Sequence, residues 1–534
     1  MKETLRFVSA GLVIAALLAG VSHAGGFKFV VAEDGTRNSH MTADIIGDTL
    51  IVGVHEGLGY VKIYTGAGKK WKEQAELVAL VGGADINRGV PGFGWSVALT
   101  ALHEYGSADF AVIGAARDNP KGELSGSAYI FARSRNTWKE RAKLVASDGA
   151  KDDNFGWAVA IDRNIAVVGS PGNDHAGSSS GAAYVYTFDG ANWKERAKLI
   201  PADLDRSAAL GTSVSVQKDT VIVGAPKHTH SGVRFTGAAF VFQRDVDKWV
   251  ERAKITAADA DKSDGFGTSV AMSGDTVVVG APLADTDRGK DAGAAYVFVR
   301  DGGGWKQEAK LSSSDAKKAD QFGFSVAVAG HNVIVGAKTR DESEPGSGAA
   351  YSFVRSNGVW EQKQKVVPDD PGQKINFGAW VALSGNTVIV SAHNGPNDGP
   401  EWGKGHAVHI YDGTKDFEIV PFSVDPSGLA VTTFGKIKRT ALLQNFPNPF
   451  NPETWLPYQL AADAPVNFRI YNVRGQQIRE LDLGMQKAGE YLSRETAAYW
   501  DGRDEVGQNV SSGVYYYSLH ADTFRATRRM LILK

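Results

Sequence analysis

The sequence predicts an all-β chain: a seven-bladed β-propeller followed by a small Ig-like β-sandwich. Three observations carry that reading. A Trp-led phrase recurs at Trp71, Trp138, Trp193, Trp249, Trp305 and Trp360, every 55 or 56 residues after the first interval. A Phe-Gly step recurs at Phe93, Phe155, Phe266, Phe322 and Phe377, with Leu210-Gly211 in register, at intervals of 62, 55, 56, 56 and 55 residues. Near residue 420 the repeats stop, and a Pro-spaced segment leads into a further set of strand-like runs. A fixed period of this length marks a repeat architecture whose units bury their faces against one another.

The fullest unit, Phe266 to Leu311, holds four strand-like runs: TSVAMS, VVVGAP, AAYVFV and WKQEAKL. Each is short, rich in β-branched or aromatic residues and bounded by turn formers. Four-stranded units in series build a propeller. An earlier copy, Gly47–Val54 with GDTLIVGV, matches Gly274–Ala281 but carries Ser39-His40 in place of Phe-Gly, as terminal repeats often do. The run Phe27–Gly35 resembles Ala142–Gly149, the tail of a fourth strand, so the N-terminal strand is expected to complete the last blade. DFEIVPF, Asp416–Phe422, is the competing candidate.

Strict alternation in WKERAKL puts Trp, Glu, Ala and Leu on a packed side and Lys, Arg and Lys on a cationic side. That suits a protected outer edge strand better than a basic ligand-binding girdle. The glycines of FG and VVGAP fit strands that approach closely near a crowded axis. No phosphate-loop spacing occurs.

The pattern FGxSV…VVVGAP…GAAYVF resembles the FG-GAP repeat over roughly residues 27–420. The resemblance implies the seven-bladed propeller of integrin α-chains and of many bacterial exported proteins. Such copies carry a DxDxDG calcium loop between their first two strands. Here SGDT, QKDT, DRNI or SGNT stands there, and the longer LTALHEYGSADF lacks the acidic ladder. Calcium takes about six to eight oxygens, which a two-residue turn cannot offer. No cofactor and no metal is therefore expected, calcium included.

Lys2 and Arg6 precede an apolar run, Phe7 to Val21, that ends in VSHA. This predicts a signal peptide over residues 1–24, cleaved near Ala24, and a mature chain without a membrane-spanning helix. The absence of cysteine excludes disulfides, Cys-ligated zinc and thiol catalysis. A net charge of −2 argues against a nucleic-acid partner.

After the propeller (25–420) and a linker (421–440), residues 441–534 form the C-terminal module. LLQNFPNPFNP, FRIYNVRGQQIREL and WDGRDEVGQNVSSGVYYYSL resemble the type A C-terminal sorting domain of type IX secretion, itself similar to the FlgD-like Ig domain of hook-capping proteins. This implies contact with secretion machinery and a secreted or outer-membrane surface location. A third reading, a flagellar accessory role, follows from the hook-capping likeness.

No hydrolase signature is present, and no catalytic residues are assigned. Asp153, Asp264 and Asp320 each stand two residues before the Phe of a Phe-Gly step, which fits turn chemistry better than a catalytic ring. The loops between second and third strands vary from copy to copy. His228, His230 and Arg234, with His393 and Trp402, are the candidate ligand-binding residues. The function expected is a monomeric, non-catalytic binding or adhesion propeller with a protein or glycan ligand. The alternative is a secreted glycan-processing enzyme with its site in the axial pocket.

Overall fold

The computed structural model describes residues 27–32, 41–55, 59–67, 70–79, 90–101, 110–134, 137–302, 304–340, 346–368, 375–392, 406–413, 422–424, 430–432, 440–443, 445, 450, 453–491 and 496–533. The expected signal peptide, His393 and Trp402 lie outside them.

Seven antiparallel four-stranded sheets precede residue 413. Blade 1 is Met41–Ile46, Thr49–Val54, Tyr60–Ala67 and Lys70–Leu77; blade 2 is Phe93–Thr100, Phe110–Ala115, Ser127–Ser134 and Thr137–Leu144. Blade 3 is Val159–Asp162, Ile165–Ser170, Ala182–Phe188 and Trp193–Leu199; blade 4 is Ser213–Gln217, Thr220–Ala225, Ala238–Asp245 and Lys248–Ile255. Blade 5 is Ser269–Ser273, Thr276–Ala281, Ala294–Arg300 and Trp305–Leu311; blade 6 is Phe322–Ala329, Asn332–Ala337, Ala349–Ser356 and Val359–Val366. Blade 7 takes Val381–Ser384, Thr387–Ala392 and His406–Asp412 from the end of the repeats and Phe27–Ala32 from the start of the chain, with Phe27 paired to Ile410. The N-terminal strand thus closes the ring. Phe422, from the competing segment, pairs instead with Thr432 in a short hairpin.

First strands of successive blades lie side by side, and the first strand of blade 7 lies beside that of blade 1. Their apolar faces form shared cores, such as Leu50, Val52 and Tyr64 of blade 1 with Ile389 and Val408 of blade 7. Each large side chain buried this way contributes roughly 1.5–3 kcal/mol. The two glycines of the repeat meet at these joints. Gly211 holds φ at +91°, and a Cβ on Gly169 would stand 2.0 Å from the Gly211 carbonyl oxygen. The close approach of inner strands excludes any side chain there.

The fourth strand departs from strict alternation. In blade 3, Val185 pairs with Ala197 and Tyr186 with Glu195, so Arg196 is an extra, bulged residue. The bulge recurs at the same place in blades 1, 2, 4, 5 and 6. A one-residue bulge reverses the side-chain sense beyond it. Glu195 and Lys198 therefore share one face, beside Tyr186 and Tyr184. This corrects the expectation for the second lysine of the phrase: Lys198 does not share a side with Lys194.

The C-terminal domain packs the sheet Gln477–Gln486, Ala464–Asn472, Gly513–Ala521 and Phe524–Ile532 around a core with Phe468, Tyr517 and Trp500. Tyr517 Oη donates to the Leu443 carbonyl at 2.6 Å and accepts from the Asn445 backbone N–H at 2.7 Å. These bonds pin the start of the Pro-spaced segment to the sheet. Among the described residues no helix is long and apolar enough to cross a membrane.

Candidate functional site

The loops joining second to third strands and fourth to first strands occupy one end of the ring. Each of five second-to-third loops is fixed at both ends by the same two backbone bonds. Asp118, Asn173, His228, Ala284 and Arg340 each donate N–H to the last residue of the second strand. Their carbonyls accept from Gly126, Gly181, Gly237, Gly293 and Gly348, just before the third strand. All five residues are buried, yet they differ chemically. One backbone position thus carries a carboxylate, an amide, an imidazole, a methyl and a guanidinium.

Beneath these residues lies a repeated polar cell. In blade 3, Lys198 Nζ donates to Asp148 Oδ2 at 2.6 Å and to Asn173 Oδ1 at 2.9 Å, and Tyr184 Oη donates to Asp148 Oδ1 at 2.7 Å. Burial works against the Asp148 charge, but the Lys198 and Tyr184 hydrogen bonds outweigh it and hold the carboxyl below its usual range. In blade 6, Lys365 Nζ and Arg340 Nη2 both reach Asp315 Oδ2, at 2.7 and 3.0 Å, while Arg340 Nη1 donates to Asp320. In blade 2, Asp118 bonds to Lys143 at 2.8 Å and to Ser127 at 2.6 Å.

Asp153, Asp264 and Asp320 each accept the backbone N–H of the residue three before, at 2.9, 2.8 and 2.7 Å. They serve turns in separate blades, as the sequence suggested, and do not make one catalytic group. Burial pushes Asp264 up to about 6 against the bond from Asp261. In blade 5, Ala284 offers this carboxyl no side-chain partner of the kind Asn173 and Arg340 provide.

The candidate histidines separate. His228 is 2% exposed and turned inward, with Nδ1 2.5 Å from Asp205 Oδ1 and its ring edge-on to Phe240. Phe240 stands where other blades have the cell's tyrosine, so the imidazole packs on an apolar ring. His228 thus lies in the loop the sequence placed it in, with its side chain buried rather than presented to solvent. His230 and Val233 exchange backbone bonds in a small hairpin. His230 is half-buried, and burial and then Lys254 hold its imidazole below its usual value. Arg234 is exposed, with its guanidinium over the Phe235 ring at 5.2 Å. The three do not converge on one point. Among the described residues no group of three His, Asp or Glu side chains is placed to hold a metal ion.

Sequence reasoning passed over an aromatic cluster on the inner strands. Trp95 and Trp157 follow the FG glycines of blades 2 and 3, with ring centroids 4.8 Å apart; His55 lies 4.4 Å from Trp95, and the Arg117 guanidinium lies 5.0 Å from it. In blade 6, Lys338 sits 3.4 Å from the Phe324 ring, and burial pushes its amine down to about 8. The signal was present in FGW, FGW and FGF, where other copies have FGT or FGA.

No curated protein matches the chain. Among solved structures, PorZ, described as an essential surface component of the type-IX secretion system of Porphyromonas gingivalis, aligns at 12% identity over 93% of this chain, with a TM-score of 0.42. The chain spans 59% of the PorZ chain's length. Sqt1 of Saccharomyces cerevisiae aligns at 10% identity over 73% of this chain and 99% of its own, with a TM-score of 0.40. A chain of the mitotic checkpoint complex aligns at 12% over 77% and 99%, with a TM-score of 0.44. Likeness at this level carries no argument about what the chain binds. The family model described as the FlgD Ig-like domain matches residues 453–524. That of the FG-GAP repeat matches residues 71–131, 138–186, 193–242, 249–298, 305–353 and 360–411, most units running from the fourth strand of one blade to the third of the next. With more than half of its residues in these matches, the chain belongs to the FG-GAP repeat family.

Proposed function

We propose that this is an exported, non-catalytic binding propeller of the bacterial surface, monomeric and calcium-independent. Its loop end takes a protein or glycan ligand, and its C-terminal Ig-like domain engages secretion machinery. The observation that carries the reading is the loop frame: identical backbone bonds hold loops whose side chains differ in each blade. A rigid scaffold with variable loops is how binding faces are commonly built. The charged, apolar and small-residue pattern over residues 2–24 supports export. The raised carboxyls of Asp153, Asp264 and Asp320 are each tied to their own turn, which supports a role without catalysis. The test is a binding screen of the full mature chain against arrayed glycans and purified surface proteins, with hydrolysis of each bound glycan followed in parallel. Saturable binding without turnover is expected. Turnover of a bound glycan would replace this reading with an enzymatic one.

A further inference from the structure

At two joints between neighbouring blades the bulged residue of the fourth strand accepts hydrogen bonds from the next blade. Near its outer edge each fourth strand carries the bulged residue described above. In blade 5 this is Glu308, whose carboxylate accepts Trp360 Nε1 at 2.8 Å and an Arg355 N–H, both from blade 6. In blade 1 it is Gln74, which accepts Trp138 Nε1 from blade 2 at 3.1 Å. At the joint of blades 4 and 5, Arg300 of blade 5 reaches back to Gln243 of blade 4 at 3.3 Å.

At the joint of blades 3 and 4 the bulged residue is Arg196, a donor where Gln74 and Glu308 accept. It spends its Nε on Thr187 Oγ1 of its own blade at 2.8 Å, the residue in the register of Gln243. Arg244 of blade 4 turns away and bonds the Val246 carbonyl at 3.0 Å. A groove of about 360 Å³ remains, lined by Thr187, Arg196, Arg244, Asp247 and Trp249. Arg252, the bulged arginine of blade 4, opens no such site because Asp245 of its own hairpin engages it at 2.8 Å.

We propose that the groove between blades 3 and 4 binds the carboxylate of an acidic sugar, a hexuronate unit of a glycan, which occupies the position that Glu308 fills between blades 5 and 6. Two guanidiniums can hold a carboxylate by paired, charge-assisted hydrogen bonds. The half-buried Trp249 indole offers an apolar face to the C–H side of a pyranose and an N–H to an acceptor. Thr187 and Asp247 supply partners for ring hydroxyls. This combination of an aromatic wall with both donors and an acceptor favours a sugar acid over an acidic peptide, which has no ring hydroxyls for Asp247 to receive. The groove's size falls within the range of small-molecule sites. It stands apart from the loops of the proposed binding face, so either site can fail alone.

The experiment is calorimetric titration of the full mature chain with trigalacturonate, maltotriose and a short polyglutamate. Trigalacturonate alone should bind, more weakly as salt rises. Arg196→Glu restores the acceptor that Glu308 provides, so it should weaken binding at least about tenfold while raising the melting temperature through bonds to Arg244 and Trp249. Arg244→Ala should weaken binding similarly without that rise. Unchanged affinity in Arg196→Glu, or polyglutamate binding as tightly as trigalacturonate, would overturn the proposal. So would loss of trigalacturonate binding on exchange of the blade 4 loop, residues 227–236.

Discussion

Gly47 donates its backbone N–H to Ser384 Oγ at 3.2 Å, across 337 residues of sequence. The bond repeats, at the point of closure, one made around the ring. Thr100 accepts from Arg163, Asp162 from Lys218, Gln217 from Gly274 and Ser273 from Gly330, each joining the end of one first strand to the turn of the next blade. Blade 7 therefore meets blade 1 as blades 2, 3, 4 and 5 meet their successors, and the seam lies within blade 7, where Phe27–Ala32 pairs with His406–Asp412.

Removing residues 25–32 tests that seam. The third strand of blade 7 would lose its partner and present an open edge, which favours pairing with other chains. The truncated protein is expected to unfold at lower urea concentration and to elute as larger species in size-exclusion chromatography. An unchanged midpoint and elution volume would show that the strand does not hold the ring closed.

Arg340→Met leaves Asp320 buried without its cation. Stranding one member of a buried pair costs about 3–5 kcal/mol, read as a lower urea midpoint. Arg340→Met with Asp320→Asn should recover much of that loss, because the neutral amide still accepts the Lys317 N–H and leaves no charge stranded. Equal losses in the single and double variants would show that the pairing is not the cause.

Asp264 gives a pH signature of defined sign. Burial raises its folded-state pKa from 3.8 to about 6, and the backbone bond from Asp261 offsets only part of this. Between those values the folded state binds more protons than the unfolded state, so this group makes stability fall as pH rises from about 4 to 6. Asp264→Asn keeps an acceptor for the Asp261 N–H and removes the titration. It should flatten that slope and raise stability at pH 7 by roughly 1–3 kcal/mol. A variant with the parent's pH dependence between 4 and 6 would rule out the assignment.

Calcium is expected to be without effect on the ring. Outside blade 2, the turns where related repeats hold the ion are two residues long here, as between Asp162 and Ile165 or Ser273 and Thr276. Thermal unfolding in millimolar calcium and in chelator should superimpose, since an ion bound only by the folded state would raise the melting temperature. A calcium-dependent rise would reveal ligands supplied from elsewhere in the chain.

Much of the fold was legible because burial repeats in sequence. The match of Phe27–Gly35 to Ala142–Gly149 located the closing strand, and the spacing of Gly169 and Gly211 marked inner-strand contacts. The bulge at Arg196 was not legible, because one extra residue per copy leaves WKERAKL perfectly periodic while reversing the face of Lys198. The burial of His228 was not legible for a different reason. Its inward turn depends on Asp205, 23 residues earlier, and on Phe240 replacing a tyrosine in the third strand. The arginine groove was hidden too, since Arg196 differs in meaning from Glu308 only once Glu308 is seen to accept from the next blade.

The loop frame is the center of the functional account, and exchanging a loop within it is the direct test. Residues 227–236 of blade 4 would be replaced by residues 283–292 of blade 5, which are held by the same pair of backbone bonds. Affinity for the ligand found by array screening would be measured beside the melting temperature. The account predicts at least about a tenfold loss of affinity with the melting temperature nearly unchanged. Full affinity in the exchanged protein, for every such exchange around the ring, would contradict it.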